Sequence, residues 1–474
     1  MAGRRPLRVA VAIMLLSTTG LGARDVGAQS NEELMAIIRE QQRQIDELSR
    51  KVDALTRQTE TTTEKADDAG EQAATAAETA QKVEETAPDI QVKWGPGPTF
   101  SSKDGSWSAH VFGRLQVDGG GLGDDDDFYK NDNATELRAA RLGIEGNFYD
   151  WKYKLEPDFG LGEVDVKDAY IEYDGEFVEP AYVRIGQYKV PNSLEWLTNR
   201  LFITFMERAA IVDAFGLTRQ IGLGSGVSGK NWGVDAGLFG QNASDQDNNE
   251  GYALAGRGHY AFLYGPEDSG NAVHLGASAR YRNFDNDTFD SEIRYEQRPF
   301  FHFTGTRSVD TGTIDDAEGD VWVGPEFAWV QGPFSLQSEF ANTFLQRKHG
   351  EDDANNLWGG YLSTSYFLTG EHRPYDPKSG VFERVKVERP LQDGGPGAWE
   401  LAARADYIDL NDEGVKGGEQ ISYIAGVSWY PNDYVRFLFD GAVTQVFDAG
   451  DTDAAVRGSS NLIYGGGIRA QVDW

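Results

Sequence analysis

The last eleven residues, Tyr464 to Trp474, alternate with period two and stop on an aromatic side chain. Tyr464, Gly466, Ile468, Ala470, Val472 and Trp474 share one face, while Gly467, Arg469, Gln471 and Asp473 share the other, as in a strand with hydrocarbon outside and water inside. A terminal aromatic closing such a strand is the assembly signal of bacterial outer-membrane barrels. The ending therefore implies both a fold, a transmembrane β-barrel, and a compartment.

The other terminus agrees. Arg4, Arg5 and Arg8 precede an apolar run from Val9 to Leu16, and Val26-Gly27-Ala28 offers a small-residue cleavage site. This is the pattern of a secretory signal peptide over 1–28, too short to span a bilayer as a helix. The general secretory route is favoured over the twin-arginine one, because the residues around Arg4-Arg5 fit that motif poorly. The chain has no cysteine, which removes disulfides and thiolate metal sites. Without residues 1–28 it carries 40 basic against 75 acidic residues, a net charge of −35. That excludes nucleic acid as a partner, since phosphate binding demands a basic footprint. With 56 glycines, 12% aromatic residues and no long apolar run after the signal, the composition suits many strands and not a helical membrane protein.

Residues 29–90 differ from the rest. A heptad runs through Leu34, Ile38, Gln41, Ile45, Leu48, Val52 and Leu55, then continues on threonines and alanines to Ala87, predicting a periplasmic helical coiled coil. A disordered Ala/Thr/Glu linker is the alternative beyond residue 58. Pro88 ends the helix, and 91–107, with Trp94-Gly-Pro-Gly-Pro98, reads as a linker.

From 108 to 474 the two-residue alternation recurs. Ala109, Val111, Leu115 and Val117 oppose His110, Arg114, Gln116 and Asp118; Val273, Leu275, Ala277, Ala279 and Tyr281 oppose His274, Ser278, Arg280 and Arg282. Strands are expected near 108, 136, 151, 164, 181, 219, 231, 252, 272, 320, 333, 356, 398, 420, 434 and 461. That makes an all-β, 16-stranded antiparallel transmembrane β-barrel, with 18 strands as the alternative. A further candidate near 292 is rejected by parity, because both barrel ends lie in the periplasm and the count must be even. The long connections 119–135, 189–218, 241–250, 284–319, 347–355, 410–419 and 448–460 then lie outside, and 370–397 is periplasmic. The external connections other than 189–218 hold 26 acids and 8 bases, so the outer rim is a solvated acidic surface, where divalent cations could bridge to lipopolysaccharide.

The inward strand face carries both signs. Arg114, Lys154, Arg184, Arg257 and Arg280 are candidates for an anion-binding lumen, because guanidinium and ammonium groups can replace an anion's hydration shell; Arg404, Arg436 and Arg469 share the face. The alternative is that they are structural pairs bracing the wall. The connection 189–218 is unusually apolar, with Leu194, Trp196, Leu197, Leu201, Phe202, Ile203, Phe205 and Met206. It should fold inward and narrow the pore, bringing Lys189, Arg200, Arg208 and Arg219 to the constriction, with Arg208 the first candidate.

The stretch Arg184-Ile-Gly-Gln-Tyr-Lys-Val-Pro191, followed by Glu195-Trp196 and Glu207-Arg208, resembles the phosphate-selective porin O and P family. So do Tyr366-Phe-Leu-Thr-Gly-Glu371 with Arg373, Tyr375 and Phe382, then Gly397-Ala-Trp-Glu-Leu401, Arg138 to Gly146 and Trp429-Tyr430. The resemblance covers about 105–474. It implies a homotrimer of 16-stranded channels narrowed by inward loops, with an arginine ladder and a central lysine passing phosphate; Arg208 falls in the inward loop motif. The chain departs in charge, the barrel portion having 32 bases against 60 acids.

The function expected is passive diffusion of small hydrophilic solutes, anions such as phosphate first. The alternative is a general or cation-preferring porin whose coiled coil tethers the envelope through peptidoglycan. Contacts with outer-membrane lipid and lipopolysaccharide follow from the fold. The six histidines lie near no nucleophile motif, so no enzyme is expected, and neither a cofactor nor a metal. Gly224-Ser-Gly226-Val-Ser-Gly229 spells a dinucleotide fingerprint but runs into a tight turn with no following helix, so it reads as a barrel turn.

Overall fold

The structure, a computed structural model, describes scattered residues between 39 and 79, and residues 90–474 apart from 126–131, 245–250, 267–269, 285–292, 306, 315–316, 348–353 and 449–460. Contacts divide the chain into two units, Met1–Pro88 and Asp89–Trp474. In the first, every described residue is helical and exposed, and Lys51 pairs with Glu47 one turn before it at 2.8 Å. The expected signal peptide and most of the heptad seam lie outside the described residues, as does much of the acidic rim.

In the second unit, the expected linker contains a hairpin. Strand β1 (Ile90–Gly95) turns at Pro96 into β2 (Gly97–Ser102), and β2 pairs with the first barrel strand through Thr99 and His110. The turn residues that read as a linker are the hairpin's tip.

The barrel strands are β3 (Ser108–Asp124), β4 (Asp132–Phe148), β5 (Trp151–Asp158), β6 (Asp165–Tyr173), β7 (Ala181–Lys189), β8 (Arg219–Ser228), β9 (Trp232–Phe239), β10 (Tyr252–Leu263) and β11 (Ala272–Asn283). A two-stranded hairpin, β12 (Glu296–Gln297) and β13 (Val309–Asp310), follows outside the wall; it accounts for the extra strand signal near 292. The wall resumes with β14 (Ala317–Gln331), β15 (Phe334–Arg347) and β16 (Ala354–Phe367). A second small hairpin, β17 (Tyr375–Asp376) and β18 (Val381–Phe382), precedes β19 (Ala398–Asp412), β20 (Val415–Asn432), β21 (Val435–Asp448) and β22 (Asn461–Asp473). Strand β22 pairs back onto β3, from Ile463 against Asp124 to Asp473 against Arg114, so sixteen antiparallel strands close without an edge.

Alternation sets which face looks where. Along β22, Tyr464, Gly466, Ile468 and Ala470 are exposed outward, whereas Gly467, Arg469, Gln471 and Asp473 are buried inward. Trp474 lies across Gly113, where a Cβ would come within 2.2 Å of the indole. Short turns close the end that holds both barrel termini: Asn432 accepts the amide protons of Tyr434 and Val435 at 2.9 and 3.1 Å, satisfying a turn that Pro431 cannot pair. Strands β5 to β9 have 8, 9, 9, 10 and 8 residues, while the other described barrel strands have between 12 and 18.

Three connections enter the lumen. Residues 190–218 cross its middle and share one apolar core with the wall: Phe205, Met206, Ile211 and Phe215 pack with Trp322, Leu345, Ile424 and Leu438. The described residues of 293–314 enter from the same end, burying Tyr295, Phe300 and Phe301 in that core. Residues 371–388 enter from the opposite end, although the sequence marks 370–397 as a plain periplasmic loop. Phe382 packs on Leu194, Ala328 and Val330, and its amide donates to the Thr198 hydroxyl at 3.4 Å, so the two inward segments meet mid-lumen.

Candidate pore constriction

A buried loop must find a partner for each backbone polar group, and the wall supplies them to 190–218. Glu339 accepts the amide protons of Leu194 and Glu195 at 2.9 and 2.8 Å, Ser193 caps the helix Leu194–Leu197 by accepting from Trp196, and Asp440 and Asp406 accept from Met206 and Ala210 at 2.7 and 2.9 Å. The carbonyls are held by cations. Arg436 donates to those of Ile203 and Thr204, Arg404 to those of Glu207 and Arg208, Arg469 to that of Met206 and Arg280 to those of Phe215 and Gly216. These inward arginines staple the loop rather than standing free along a pore.

Glu207 is the loop's own hub. Its carboxylate receives Nε and Nη2 of Arg138 at 3.0 and 3.1 Å, Nη1 of Arg200 at 2.7 Å and Nη2 of Arg469 at 2.8 Å. Burial alone would push this carboxyl up, but the guanidiniums of Arg138, Arg200 and Arg469 outweigh burial and hold it well below the ordinary carboxylate range.

Trp196 gathers a second cluster. Lys189 Nζ, the Arg208 guanidinium and the Arg219 guanidinium lie 5.1, 5.0 and 5.8 Å from its ring centre. Lys189 spends its three protons on the carbonyls of Trp196, Leu197 and Thr198 at 2.7, 3.0 and 3.0 Å. Arg208 donates to the carbonyls of Glu195, Trp196 and Thr198. Among the described residues, no carboxylate lies within 4.0 Å of either group.

The remaining seven candidates are ion-paired. Arg200 meets Glu207 at 2.7 Å, Arg219 meets Asp168 at 2.8 Å, Arg114 meets Glu156 at 3.0 Å and Lys154 meets Glu145 at 3.3 Å. Arg184 pairs with Glu172, Arg257 with Glu326 at 2.8 Å and Arg280 with Asp320 at 3.7 Å. Arg257 also donates to the carbonyls of Ser379 and Gly380, which anchors the 371–388 segment. Thus Lys189, Arg208, Arg219, Arg200, Arg114 and Arg280 converge around the inward loop, while Arg257 holds the 371–388 segment instead.

Space remains on the short-strand side. A cavity of about 700 Å³ lies over β6 to β9, lined among others by Lys189, Arg184, Tyr170, Tyr182, Tyr188, Glu172 and Asp235. The tyrosines escaped the sequence reading, although Tyr182, Arg184, Gly186 and Tyr188 share one strand face and could have been found by their parity. The glycines of the apparent dinucleotide fingerprint serve this cavity: Gly224 and Gly226 stand inside β8, where a Cβ would come within 2.2 Å of the Tyr188 hydroxyl and 2.1 Å of an Asp235 carboxylate oxygen.

Residues 110–463 match the family model for phosphate-selective porin O and P. A protein of Caulobacter vibrioides without an assigned function is 35% identical over 365 residues, 73% of this chain and 70% of its own length. Porin O of Pseudomonas aeruginosa is 29% identical over 399 residues, 73% of this chain and 85% of its own. An anion-selective porin from Comamonas acidovorans aligns at TM-score 0.46 and 12% identity, over 77% of this chain and 99% of that one. The family match over residues 110–463, carried by a closed barrel narrowed by inward connections, makes this chain an outer-membrane porin of the phosphate-selective porin O and P family.

Proposed function

We propose that this porin passes small hydrophilic solutes by passive diffusion and favours small anions, phosphate among them. One observation carries the preference: of nine candidate cations, Lys189 and Arg208 alone have no carboxylate within 4.0 Å among the described residues; Lys189 ends β7 and Arg208 lies on the inward loop that follows it. Their carbonyl partners supply partial charge but do not neutralise them. Lys189 lines the open cavity, where an anion about 6 Å away gains roughly 3 kcal/mol at an effective dielectric of about 20.

A general or cation-preferring porin is the second reading. It is favoured by the cavity lining, where Asp168, Glu172, Asp174, Glu179, Asp235 and Asp376 outnumber Lys152, Arg184, Lys189 and Lys378. Reversal potentials in a potassium chloride gradient separate the two: the anion reading expects a chloride-directed potential that shrinks in Lys189→Gln, and a potassium-directed potential in the unaltered channel sinks it.

A homotrimer is part of the same proposal. Eight residues tilted at about 40° rise about 20 Å, short of the roughly 30 Å hydrocarbon core. The β5–β9 sector therefore fits protein cover better than lipid. Residues 1–28 act as the signal peptide, and the heptad segment that follows serves as a periplasmic coiled coil that reaches toward peptidoglycan.

A further inference from the structure

The cavity over β6 to β9 is far larger than an inorganic anion needs, and its lining is chemically specific. The Arg184 guanidinium carbon lies 4.5, 4.9 and 5.0 Å from the ring centres of Tyr170, Tyr182 and Tyr188. Together they form a π-rich platform, with Tyr170 and Tyr188 meeting edge to face at 75°, whose guanidinium is fixed by Glu172. Tyr182 donates its hydroxyl proton to Asp235, which orients the second ring. The platform needs the glycines of β8: a Cβ at 224 would strike the Tyr188 hydroxyl, and one at 226 would lie 2.7 Å from the Tyr182 ring.

Two further features point to a ligand. The Tyr188 hydroxyl is buried, its residue 6% exposed, yet among the described residues it has no hydrogen-bond partner, and its residue lines the cavity. A buried hydroxyl left unmatched costs about 1–3 kcal/mol, so a solute group that draws the Tyr188 ring toward the cavity and completes it is favoured. At the same cavity stands Lys189, whose ammonium has no carboxylate within 4.0 Å among the described residues. Aromatic faces, carboxylate acceptors and a cation without a paired carboxylate are the complement of a hydroxylated ring carrying a phosphate.

We infer that this cavity is a binding subsite for organic phosphates, phosphomonoesters of a polyhydroxylated ring, with the ring on the Tyr170–Arg184–Tyr182 platform and the phosphate toward Lys189. The inference rests on the anion preference proposed above. No covalent step is involved; the subsite holds the solute beside the constriction.

The test is single-channel current block by glucose 6-phosphate, glucose and inorganic phosphate, on purified full-length protein in planar bilayers. Half-block by glucose 6-phosphate is expected at a concentration at least about tenfold below that for inorganic phosphate. The double substitution Tyr170→Ala and Tyr182→Ala should remove that ratio, and Tyr170→Phe with Tyr182→Phe should keep most of it, which separates ring contact from misfolding. Block by glucose 6-phosphate no stronger than by inorganic phosphate overturns the subsite, and leaves anion preference to stand on the reversal potential. Block by glucose equal to that by glucose 6-phosphate overturns the phosphate half of the inference and, with it, the role of Lys189.

Discussion

Lys189 Nζ lies 5.1 Å from the centre of the Trp196 ring and donates to the Trp196 carbonyl at 2.7 Å. One residue thus presents a π face and a carbonyl to the same ammonium, and the loop that narrows the lumen is tied at its root to the strand that precedes it. Among the described residues no carboxylate lies within 4.0 Å of this ammonium, and three loop carbonyls fix its geometry.

Removing Glu207 should cost more than removing any one of its partners. Glu207→Gln leaves Arg138, Arg200 and Arg469 facing a neutral amide, and breaking a buried charge network typically costs about 3–5 kcal/mol. A lower midpoint in thermal unfolding of the detergent-solubilised protein is expected. Arg200→Gln, which leaves Glu207 two guanidiniums, should cost about half as much.

The same residue sets a pH dependence. The folded carboxyl is held well below its ordinary value, so the stability it contributes is fully present above the unfolded pKa and is lost as pH falls through the folded one. The midpoint gap between the native protein and Glu207→Gln should therefore stay constant from about pH 8 to about pH 5 and close in stronger acid. A gap that closes near neutrality contradicts this assignment.

The segment 371–388 should be displaced by a single methyl group. Gly380 adopts φ +66°, and a Cβ there would lie 2.6 Å from the His259 ring. Gly380→Ala combines backbone strain with a clash against the wall, and should loosen the grip of Arg257 on the Ser379 and Gly380 carbonyls. Single-channel conductance is expected to rise while the barrel still folds.

The short sector should govern assembly. Ile185, on β7, is exposed outward at 52% and Leu362, on the longer β16, at 53%. If the low wall faces another subunit, Ile185→Arg should shift native molecular mass from trimer to smaller species. Leu362→Arg should instead lower barrel stability by about 2–4 kcal/mol without changing the assembly.

The barrel was legible because its signal is local. Period-two alternation and turns such as Gln331-Gly-Pro333 place all sixteen wall strands, and parity disposes of the extra one near 292. The inward turn of 190–218 was legible from its apolar residues. The entry of 371–388 was not, because its anchors come from strands far along the chain: Arg257 reaches Gly380, 123 residues away, and His274 reaches Tyr375, 101 away. Pairing was hidden for the same reason. Alternation marks Arg280 as inward but cannot distinguish an open lumen from the carbonyls of Phe215 and Gly216, so a staple and a ladder rung look alike in one dimension.

Reversal potential across a bilayer holding the native channel and the double variant Lys189→Gln with Arg208→Gln, in a potassium chloride gradient, tests the central claim most directly. The native channel should be anion-selective, and the double variant should lose roughly tenfold in anion-over-cation permeability, about 1.4 kcal/mol. A native channel that prefers potassium, or a variant indistinguishable from it, contradicts the account.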